Sequence, residues 1–286
     1  MFRIALVAVE ERVSVIVVAI DIGGTFTDLI GFDNTARSFV EAKSLTTPAQ
    51  LGQGVIDCIR KSGLAAAVID ELIHGSTIAI NTLIERTGAR TGLIVTRGTR
   101  DVYIIGRGNR PQAYSLFFHR HRPLVPRHLT REVDERLLSS GEVHAPLDRG
   151  AIAQACRAFA AEGIEAVAVC FLHSYINPAH ERIAGEMIRA AMPDAYISLS
   201  HEILREYREF ERMSTTVVNA YIGPKVGGYV KQLSASLGKI GFRGALSIMR
   251  SNGGVMTPQV ATERPAAMME SGPVGGIIAS AEVGRA

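Results

Sequence analysis

The alternation of apolar and polar positions predicts strands near the amino terminus. Residues 13–22 are nearly all apolar and rich in β-branched side chains, and the run stops at Gly23. This pattern is typical of a central strand that is buried on both faces. Residues 25–33 and 38–45 are shorter β-prone runs separated by small residues, so we expect antiparallel neighbours of the first strand.

Further along the chain, strand-like and helix-like segments alternate, which indicates an α/β domain with a largely parallel sheet. The predicted later strands cover residues 72–74, 92–96, 166–172, 195–199 and 245–249. The predicted helices cover residues 48–62, 78–85, 149–161, 178–191, 202–212, 214–221 and 224–237, and a glycine-rich turn at 271–276 opens another. Residues 107–148 do not fit this alternation of strands and helices. Their prolines and arginines predict an excursion or small insert, an element that often carries a site. Near residue 200 the pattern changes to charge pairs at helical spacing, so the predicted domains are 1–200 and 201–286.

Composition excludes several classes of protein. The chain has 286 residues of which 47% are hydrophobic, enough for a sizeable core and two domains. Its net charge of +3 argues against general nucleic-acid binding, and no apolar run approaches the roughly 18 residues of a membrane helix. Cys58, Cys156 and Cys170 are far apart, which predicts buried thiols in a reducing cytoplasm. Glu10 and Glu11 interrupt the apolar start, so we expect no signal peptide.

The segment DIGGTFTD at residues 21–28 predicts a phosphate loop. Asp21 ends the first strand, and Gly23 and Gly24 allow a tight hairpin that brings backbone N–H groups against phosphate oxygens. Asp21 would face a metal ion or its waters, while Thr25 and Thr27 add hydroxyl hydrogen bonds. The alternative is a plain hairpin, which leaves Asp21 unexplained because an unpaired buried carboxylate is costly.

A second segment, residues 74–81, combines a strand end with a Gly-Ser-Thr turn and a helix start. Such a helix N-terminus suits an anion or a polar substrate group, and Gly75, Ser76, Thr77 and Asn81 are the candidate binding residues. An ordinary helix cap by Ser76 or Thr77 explains the same pattern equally well.

Residues 97–131 hold eight arginines and a single acid, Asp101. Arg107 and Arg110 stand on a glycine turn, where a guanidinium binds carboxylate or phosphate with two parallel hydrogen bonds. A solvated surface loop is the alternative for a segment of this composition.

Six segments in order resemble the hydantoinase A / 5-oxoprolinase family, which includes the acetone carboxylase β-type subunits. The segments are DIGGTFTD, HGSTIAINTLIERTGARTGLIVTRGTRDV, IGRGNRP, REYREFERMSTTVVNAYIGP, IMRSNGGVM and SGPVGG. The first segment alone resembles the wider superfamily of sugar kinases, heat-shock ATPases and actin. The resemblance runs from about residue 15 to the end of the chain.

The resemblance implies an α/β, actin-like ATPase fold, with the first lobe and the start of the second. It implies ATP and Mg²⁺ as cofactors, and ATP-dependent opening of a cyclic amide such as hydantoin or 5-oxoproline through carbonyl phosphorylation. The alternative is a ketone carboxylase subunit of the acetone or acetophenone type. A companion hydantoinase B-type subunit is the expected partner, with no nucleic acid and no membrane.

Site residues follow from the motifs and the resemblance together. The predicted catalytic residues are Asp21, which also holds Mg²⁺ through water, Arg107 and Arg110. The predicted phosphate-binding residues are Gly23, Gly24, Thr25 and Thr27. The predicted substrate-binding residues are Gly75, Ser76, Thr77, Asn81, Asn109, Asn252 and Gly253.

Two departures from the family pattern matter. Family members are longer and carry a second phosphate loop, so we expect this chain alone to be inactive, as a truncated and non-catalytic fragment of such an enzyme. Arg250 stands where the family often has glutamine before SNGG. A sugar or acetate kinase of the same superfamily is a further hypothesis, which the GRGNRP and SNGG segments do not support.

Overall fold

The computed structural model describes residues 15–47, 50–108, 112–118 and 121–283. They form two compact units. The first unit takes its residues from Met1–Ile78, Gly228–Ala261 and Ala267–Ala286, and the second from Ala79–Gly227 and Thr262–Ala266. The chain therefore enters the second unit after residue 78 and returns to the first at residue 228. The domain boundary near residue 200 stays a prediction.

The strands and helices follow each other as an α/β chain. The strands are β1 (Ile16–Ile22), β2 (Phe26–Asp33), β3 (Ser38–Leu45), β4 (Glu71–Ser76), β5 (Thr91–Thr96), β6 (Thr130–Val133), β7 (Arg136–Leu137), β8 (Val143–Ala145), β9 (Ala166–Cys170), β10 (Tyr196–Leu199), β11 (Ala245–Met249) and β12 (Val255–Met256). The helices are α1 (Leu51–Ser62), α2 (Ile78–Ile84), α3 (Val102–Ile105), α4 (Arg149–Ala161), α5 (Ala179–Ala191), α6 (Ser200–Ile203), α7 (Glu209–Lys239), α8 (Pro258–Glu263) and α9 (Ser271–Val283). Short 3₁₀ helices lie at Ala66–Val68, Arg127–Leu129 and Pro265–Met268.

The first unit contains a six-stranded mixed sheet in the order β12-β11-β4-β1-β2-β3. Strands β11, β4 and β1 are parallel, and β2 and β3 continue the sheet as antiparallel neighbours, which confirms that prediction. The carboxyl ends of three parallel strands therefore meet at one edge of this sheet. In α/β proteins this edge is the usual place for a ligand.

Strand β1 is buried on one face only, so the prediction of two buried faces is wrong. Val18, Ile20 and Ile22 are buried, whereas Ala19 and Asp21 are exposed. The alternation arises because α1 packs on one side of the sheet. Gly63, in the left-handed conformation with φ 75°, ends α1 as predicted.

The second unit contains a fully parallel four-stranded sheet in the order β10-β9-β5-β6. Every residue of β9 is buried, and α4 and α5 pack together beside the sheet. Strand β6 and the hairpin β7–β8 come from the segment at 107–148. The segment therefore supplies a strand to the main sheet, and its description as a mere excursion is wrong.

Helix α7 is continuous over 31 residues, although we predicted two helices separated at Pro224. Packing explains the difference, because Gly223 lies so close to the Tyr196 ring that a Cβ would come within 2.4 Å of it. Tertiary contacts of this kind outweigh the cost of about 3 kcal/mol for proline inside a helix. The predicted helix at 202–212 is also wrong, since α6 ends at Ile203 and Arg208 has φ 79°.

Two helix starts follow from local chemistry. Asn177 Oδ1 accepts a hydrogen bond of 3.0 Å from Ala179 N at the start of α5, although the N-cap position itself is Pro178. The glycine-rich segment at 271–276 forms the first turns of α9 itself, because Pro273 is compatible with a first helical turn. Across the described ranges, none of the helices has the length and apolar character that crossing a membrane requires.

Candidate functional site at the edge of the first sheet

The carboxyl edge of the first sheet brings Asp21, Gly75 and Gly272 together. Asp21 on β1 is directly opposite Gly75 on β4. A Cβ on Gly75 would lie 3.0 Å from Asp21 Oδ1, and a Cβ on Gly272 would lie 3.8 Å from the same atom. The absence of side chains at these two glycines therefore leaves room beside an exposed carboxylate.

Within the described part of the chain, no cation neutralises the charge of Asp21. Asp21 lies opposite Asp28 in the register of β1 and β2. Asp28 Oδ1 forms an ion pair of 2.8 Å with Lys43 Nζ. Although the residue as a whole is exposed, partial burial of its carboxyl group and then the negative charge of Asp28 raise the pKa of Asp21. An anion held in this way favours a cation or a proton beside it.

The two glycines of the hairpin play different parts. Gly23 N donates a hydrogen bond of 2.9 Å to Phe26 O, which closes the turn, and a Cβ on Gly23 would lie 3.2 Å from that oxygen. A Cβ on Gly24 would meet nothing within 4 Å. Gly23 therefore shapes the turn, while the space beside Gly24 is open for a ligand.

Thr25 and Thr27 lie in different surroundings, because Thr25 belongs to the hairpin turn before β2 and Thr27 to the strand itself. Thr25 is exposed, whereas Thr27 is fully buried with its Oγ1 3.1 Å from Thr46 Oγ1. Since Thr46 Oγ1 donates to Gly23 O at 2.9 Å, Thr27 is the donor to Thr46. The hydroxyl of Thr27 thus fastens the hairpin from inside, and this geometry gives no support to the predicted phosphate contact for Thr27.

The segment after β4 forms a helix cap. Ser76 Oγ accepts from Ile78 N at 3.2 Å, and Ser76 O accepts from Ser271 Oγ at 3.1 Å. Thr77 Oγ1 lies 3.4 Å from Ile22 O, so it ties this turn to the end of β1. Gly75, Ser76 and Thr77 therefore lie at the same edge as Asp21, and their substrate role stays a prediction.

The loop after β11 is a tight turn held by its own residues. Gly254 N donates to Asn252 Oδ1 at 3.1 Å, Arg250 N donates to Gly254 O at 2.8 Å, and Gly253 has φ 84°. The turn follows the third parallel strand of the edge. The side chain of Asn252 stabilises the turn, and the substrate role of Asn252 and Gly253 stays a prediction.

The other predicted residues lie elsewhere. Arg107 and Asn81 belong to the second unit, where Arg107 Nε donates to Glu211 Oε1 at 2.6 Å. The positions of Asn109 and Arg110 are outside the described residues. The cluster around Asp21 therefore consists of residues of the first unit.

The second unit carries a polar cluster that the sequence analysis missed. Glu181 is fully buried and accepts hydrogen bonds from Phe171 N at 2.9 Å, Ser200 Oγ at 2.6 Å and His201 Nδ1 at 2.7 Å. Arg212 is also fully buried and donates to Ser200 Oγ at 2.9 Å. Helix α7 turns Arg212 into the unit, so its guanidinium belongs to this buried cluster and not to the surface.

A second buried pair lies in the same unit. His180 Nδ1 is 2.7 Å from Glu135 Oε2, and Thr96 Oγ1 donates to the other oxygen of Glu135. Both pairs join residues far apart in the chain, so no short motif marks them. By contrast, Gly272 belongs to the SGPVGG segment, so the sequence did carry an indication of its importance.

The fold and the edge cluster define a class of protein. The chain is a mixed α/β protein with parallel sheets, a glycine-lined strand edge and an exposed aspartate, consistent with an actin-like ATPase-type fold. Within that class, it belongs to the hydantoinase/oxoprolinase family. The family's N-terminal region matches residues 17–192 and the hydantoinase/oxoprolinase region matches residues 212–286.

Individual relatives agree with this assignment. An uncharacterised protein of Methanocaldococcus jannaschii is 41% identical over 92% of this chain, and the caprolactamase subunit alpha of Pseudomonas jessenii is 37% identical over 89%. The solved caprolactamase has a TM-score of 0.78 at 36% identity, covering 90% of this chain and 38% of that one. A nucleotide-free acetone carboxylase has a TM-score of 0.85 at 28% identity, covering 96% and 41%. The chain spans 39% and 38% of the two sequence relatives.

Proposed function

We propose that this chain forms a phosphate-binding part of an enzyme that uses ATP to open a cyclic amide by phosphorylating its carbonyl oxygen. The observation that carries the proposal is the exposed Asp21 at a strand edge lined by Gly24, Gly75 and Gly272. Glycines at such an edge let a polyphosphate approach the backbone closely. The solved caprolactamase relative is an ATP-dependent enzyme, which supports the same cofactor here.

The residues present fit ATP with Mg²⁺. Mg²⁺ is commonly held by one or two carboxylates together with phosphate oxygens and waters, and Asp21 supplies one such carboxylate. Within the described part of the chain, no group of three or more His, Cys, Asp or Glu side chains forms a metal site of its own. ATP would supply the phosphoryl group that turns an unreactive carbonyl into an activated one.

The residues of this chain would act by placement and charge. Asp21 would hold the metal ion or its waters, and the open space beside Gly24 would receive phosphate oxygens. Arg107, paired with Glu211 in the second unit, and Arg110 remain proposed contributors to charge neutralisation. Gly75, Ser76 and Thr77 would border the substrate.

A second candidate is phosphorylation of a ketone in a carboxylation reaction. The TM-score of 0.85 with acetone carboxylase favours it. Both candidates share the phosphate site and differ in the acceptor, so product analysis with a lactam and with acetone separates them. The caprolactamase and acetone carboxylase relatives are subunits of larger enzymes, and we propose a companion subunit of the hydantoinase B type for either reaction.

The test is titration calorimetry of Mg²⁺-ATP into the purified chain and three variants. Asp21→Asn keeps the size but removes the charge, so we expect affinity to fall at least about tenfold. Gly24→Ala adds a methyl group where the protein has no neighbour within 4 Å, so we expect weaker binding with an unchanged melting temperature. Asp57→Asn, at a carboxylate on α1 of the same unit, is the matched control and should bind normally.

Equal affinity of Asp21→Asn and the parent chain would contradict the proposal. So would binding that survives Gly24→Ala, because the space beside this glycine is where the phosphate must lie. Weaker binding caused by unfolding is recognised from the melting temperature of each variant.

A further inference from the structure

Asn219 is a fully buried amide on α7 that lies in one of the six motif segments and has no part in the proposed site. Its side-chain nitrogen donates to Ser198 Oγ at 3.1 Å and to Glu263 O at 3.3 Å. Its side-chain oxygen accepts from Ala266 N at 3.1 Å. An asparagine carries both a donor and an acceptor, so it can bond a backbone carbonyl and a backbone N–H at the same time. Asn219 therefore fixes the backbone of Thr262–Ala266, which we call the clamped segment.

Tyr196 holds the clamped segment from β10. The Tyr196 Oη atom lies 2.9 Å from Thr262 O and 2.8 Å from Glu263 O, so the hydroxyl donates to these carbonyl oxygens. The Tyr196 ring packs against Gly223 of α7, where a Cβ would come within 2.4 Å of it. Two side chains of the second unit thus bond three backbone groups of one short segment.

The clamped segment interrupts a stretch of the first unit. Its residues belong to the second unit, whereas the residues on either side, Ala261 and Ala267, belong to the first. Consecutive Cα atoms are a fixed distance of about 3.8 Å apart, so the place of Ala266 restricts the place of Ala267.

Ala267 begins a series of contacts within the first unit that ends at Asp21. Ser251 N donates to Ala267 O at 2.7 Å, and Glu270 N donates to Ser251 Oγ at 3.0 Å. Two residues further along, a Cβ on Gly272 would lie 3.8 Å from Asp21 Oδ1. The turn that contains Ser251 and the glycine beside the carboxylate therefore both depend on the place of Ala267.

We propose that Asn219 is a positioning residue of the phosphate site, which holds Gly272 and the Ser251 turn in place through the clamped segment. Asn219 is buried in the second unit, so it acts through other residues and not on a ligand. A displacement of about 1 Å that originates far from the chemistry can cost about a hundredfold in rate. The inference rests on the proposed function, because the site that Asn219 positions is the proposed phosphate site.

The first experiment compares Asn219→Ala with the parent chain by hydrogen exchange of backbone amides without nucleotide. The variant removes the bonds to Glu263 O and Ala266 N. We expect exchange at residues 250–254 and 268–272 to become about fivefold faster, the factor that the loss of one hydrogen bond produces. These residues belong to the first unit, so a purely structural role of Asn219 in the second unit would leave their exchange unchanged.

The second experiment measures Mg²⁺-ATP affinity by titration calorimetry, with the melting temperature of each variant. We expect Asn219→Ala to weaken binding about fivefold, which lies at the lower end of coupling between separate sites. Tyr196→Phe removes only the hydroxyl that bonds Thr262 O and Glu263 O. It should act in the same direction with a smaller loss of stability, so it tests the inference even where Asn219→Ala does not fold.

The matched control is Ser198→Ala, which removes one hydrogen bond from the same amide and leaves both bonds to the clamped segment. Exchange at residues 250–254 and 268–272 and the nucleotide affinity should equal those of the parent. Three results would each overturn the inference: unchanged exchange in Asn219→Ala and Tyr196→Phe, equal acceleration in Ser198→Ala, or full nucleotide affinity in a variant whose exchange is faster. A parent chain that does not bind Mg²⁺-ATP would contradict the proposed function, whereas the exchange at residues 250–254 tests the link from Asn219 by itself.

Discussion

A carboxylate in each unit, Asp21 in the first and Glu181 in the second, has opposite surroundings. In the first unit, Asp21 lies exposed beside Gly75 and Gly272, with no cation paired to it among the described residues. In the second unit, Glu181 lies in the first turn of α5 and is fully buried, with its oxygens taken by Ser200 and His201. The carboxylate of Asp21 is open to a ligand, whereas the oxygens of Glu181 already accept hydrogen bonds from the protein.

This difference distinguishes a candidate ligand site from a network of hydrogen bonds that stabilises the fold. Buried polar groups with complete hydrogen bonding hold the fold together, and their lone pairs are no longer free for chemistry. A carboxylate whose neighbours are glycines and another carboxylate is poorly compensated, and such groups are typical of functional sites. Burial of ionisable residues alone would point to Glu181 in the second unit and not to Asp21.

The largest expected effect comes from removing the buried carboxylate. Glu181→Ala leaves Phe171 N, the Ser200 hydroxyl and His201 without their shared acceptor, so we expect a loss of about 3 to 5 kcal/mol in the free energy of unfolding. Urea denaturation measures it. Glu186→Ala, at an exposed position on the same helix, should stay within about 0.5 kcal/mol of the parent. Similar values for both variants would remove the contrast between the units.

Acid should act first on the first unit. Burial lowers the pKa of His74 to about 4 from 6.5, against a smaller opposing effect of the Ile20 backbone. The unfolded chain takes up this proton below pH 6.5 and the folded chain only near pH 4, so stability falls between these values by about 3 kcal/mol.

His74→Gln should abolish this loss while keeping a hydrogen-bonding group near Tyr229. The measurement is the free energy of unfolding at pH 7 and pH 4.5 for both proteins. An equal loss in His74→Gln would assign the acid sensitivity to other groups.

Acid acts on Glu181 in a lower range. Desolvation alone would raise the pKa of Glu181, but hydrogen bonds from His201, Ser200 and Phe171 outweigh it and lower the pKa below 4.5. A carboxyl group with a lowered folded pKa stabilises above its unfolded pKa, and this contribution disappears as pH falls through the folded pKa. Loss of the second unit's stability should therefore begin below about pH 4.5, which exchange rates of residues 171–174 measure.

A smaller effect is expected for Thr27→Val. The variant keeps the shape but removes the hydrogen bond to Thr46, so we expect a loss of about 1 kcal/mol in unfolding free energy and unchanged Mg²⁺-ATP affinity. Thr25→Val, at the exposed threonine, should leave stability unchanged. Weaker nucleotide binding by a folded Thr27→Val would restore the predicted phosphate contact.

The smallest effect on stability is expected for Asp21→Asn. Because the folded pKa of Asp21 is raised, the charged carboxylate destabilises the fold at neutral pH and the difference vanishes below its unfolded pKa of 3.8. Exposure screens this repulsion, so we expect a gain between 0 and about 1 kcal/mol at pH 7. Thermal unfolding at pH 7 and pH 3.5 measures it, and a clear loss at pH 7 would contradict the assignment.

Local patterns predicted most of the elements. The apolar run ending at Asp21 located β1, and Gly63 located the end of α1, because strand periodicity and left-handed glycine caps depend on adjacent residues. The pattern failed at Pro224, where α7 continues and the neighbouring Gly223 packs against Tyr196. The face of a strand that lies exposed also depends on distant packing, so the burial of β1 was predicted wrongly.

The candidate site divides in the same way. Asp21 and Gly24 were predicted because their motif is contiguous. The closeness of Gly272 to Asp21 and the buried pair of Glu181 with His201 join segments that meet only in the folded chain. Spacing along the sequence contains no information on such meetings unless a motif marks each partner.

Hydrogen exchange of the chain with and without Mg²⁺-ATP tests the central contrast most directly. We expect slower hydrogen exchange of the backbone amides at residues 21–28 and 75–77, where the open edge would contact phosphate, and no change at residues 199–201. In Asp21→Asn the protection should disappear. Protection confined to residues 199–201, or no protection at 21–28 at a nucleotide concentration that saturates binding, would contradict the account.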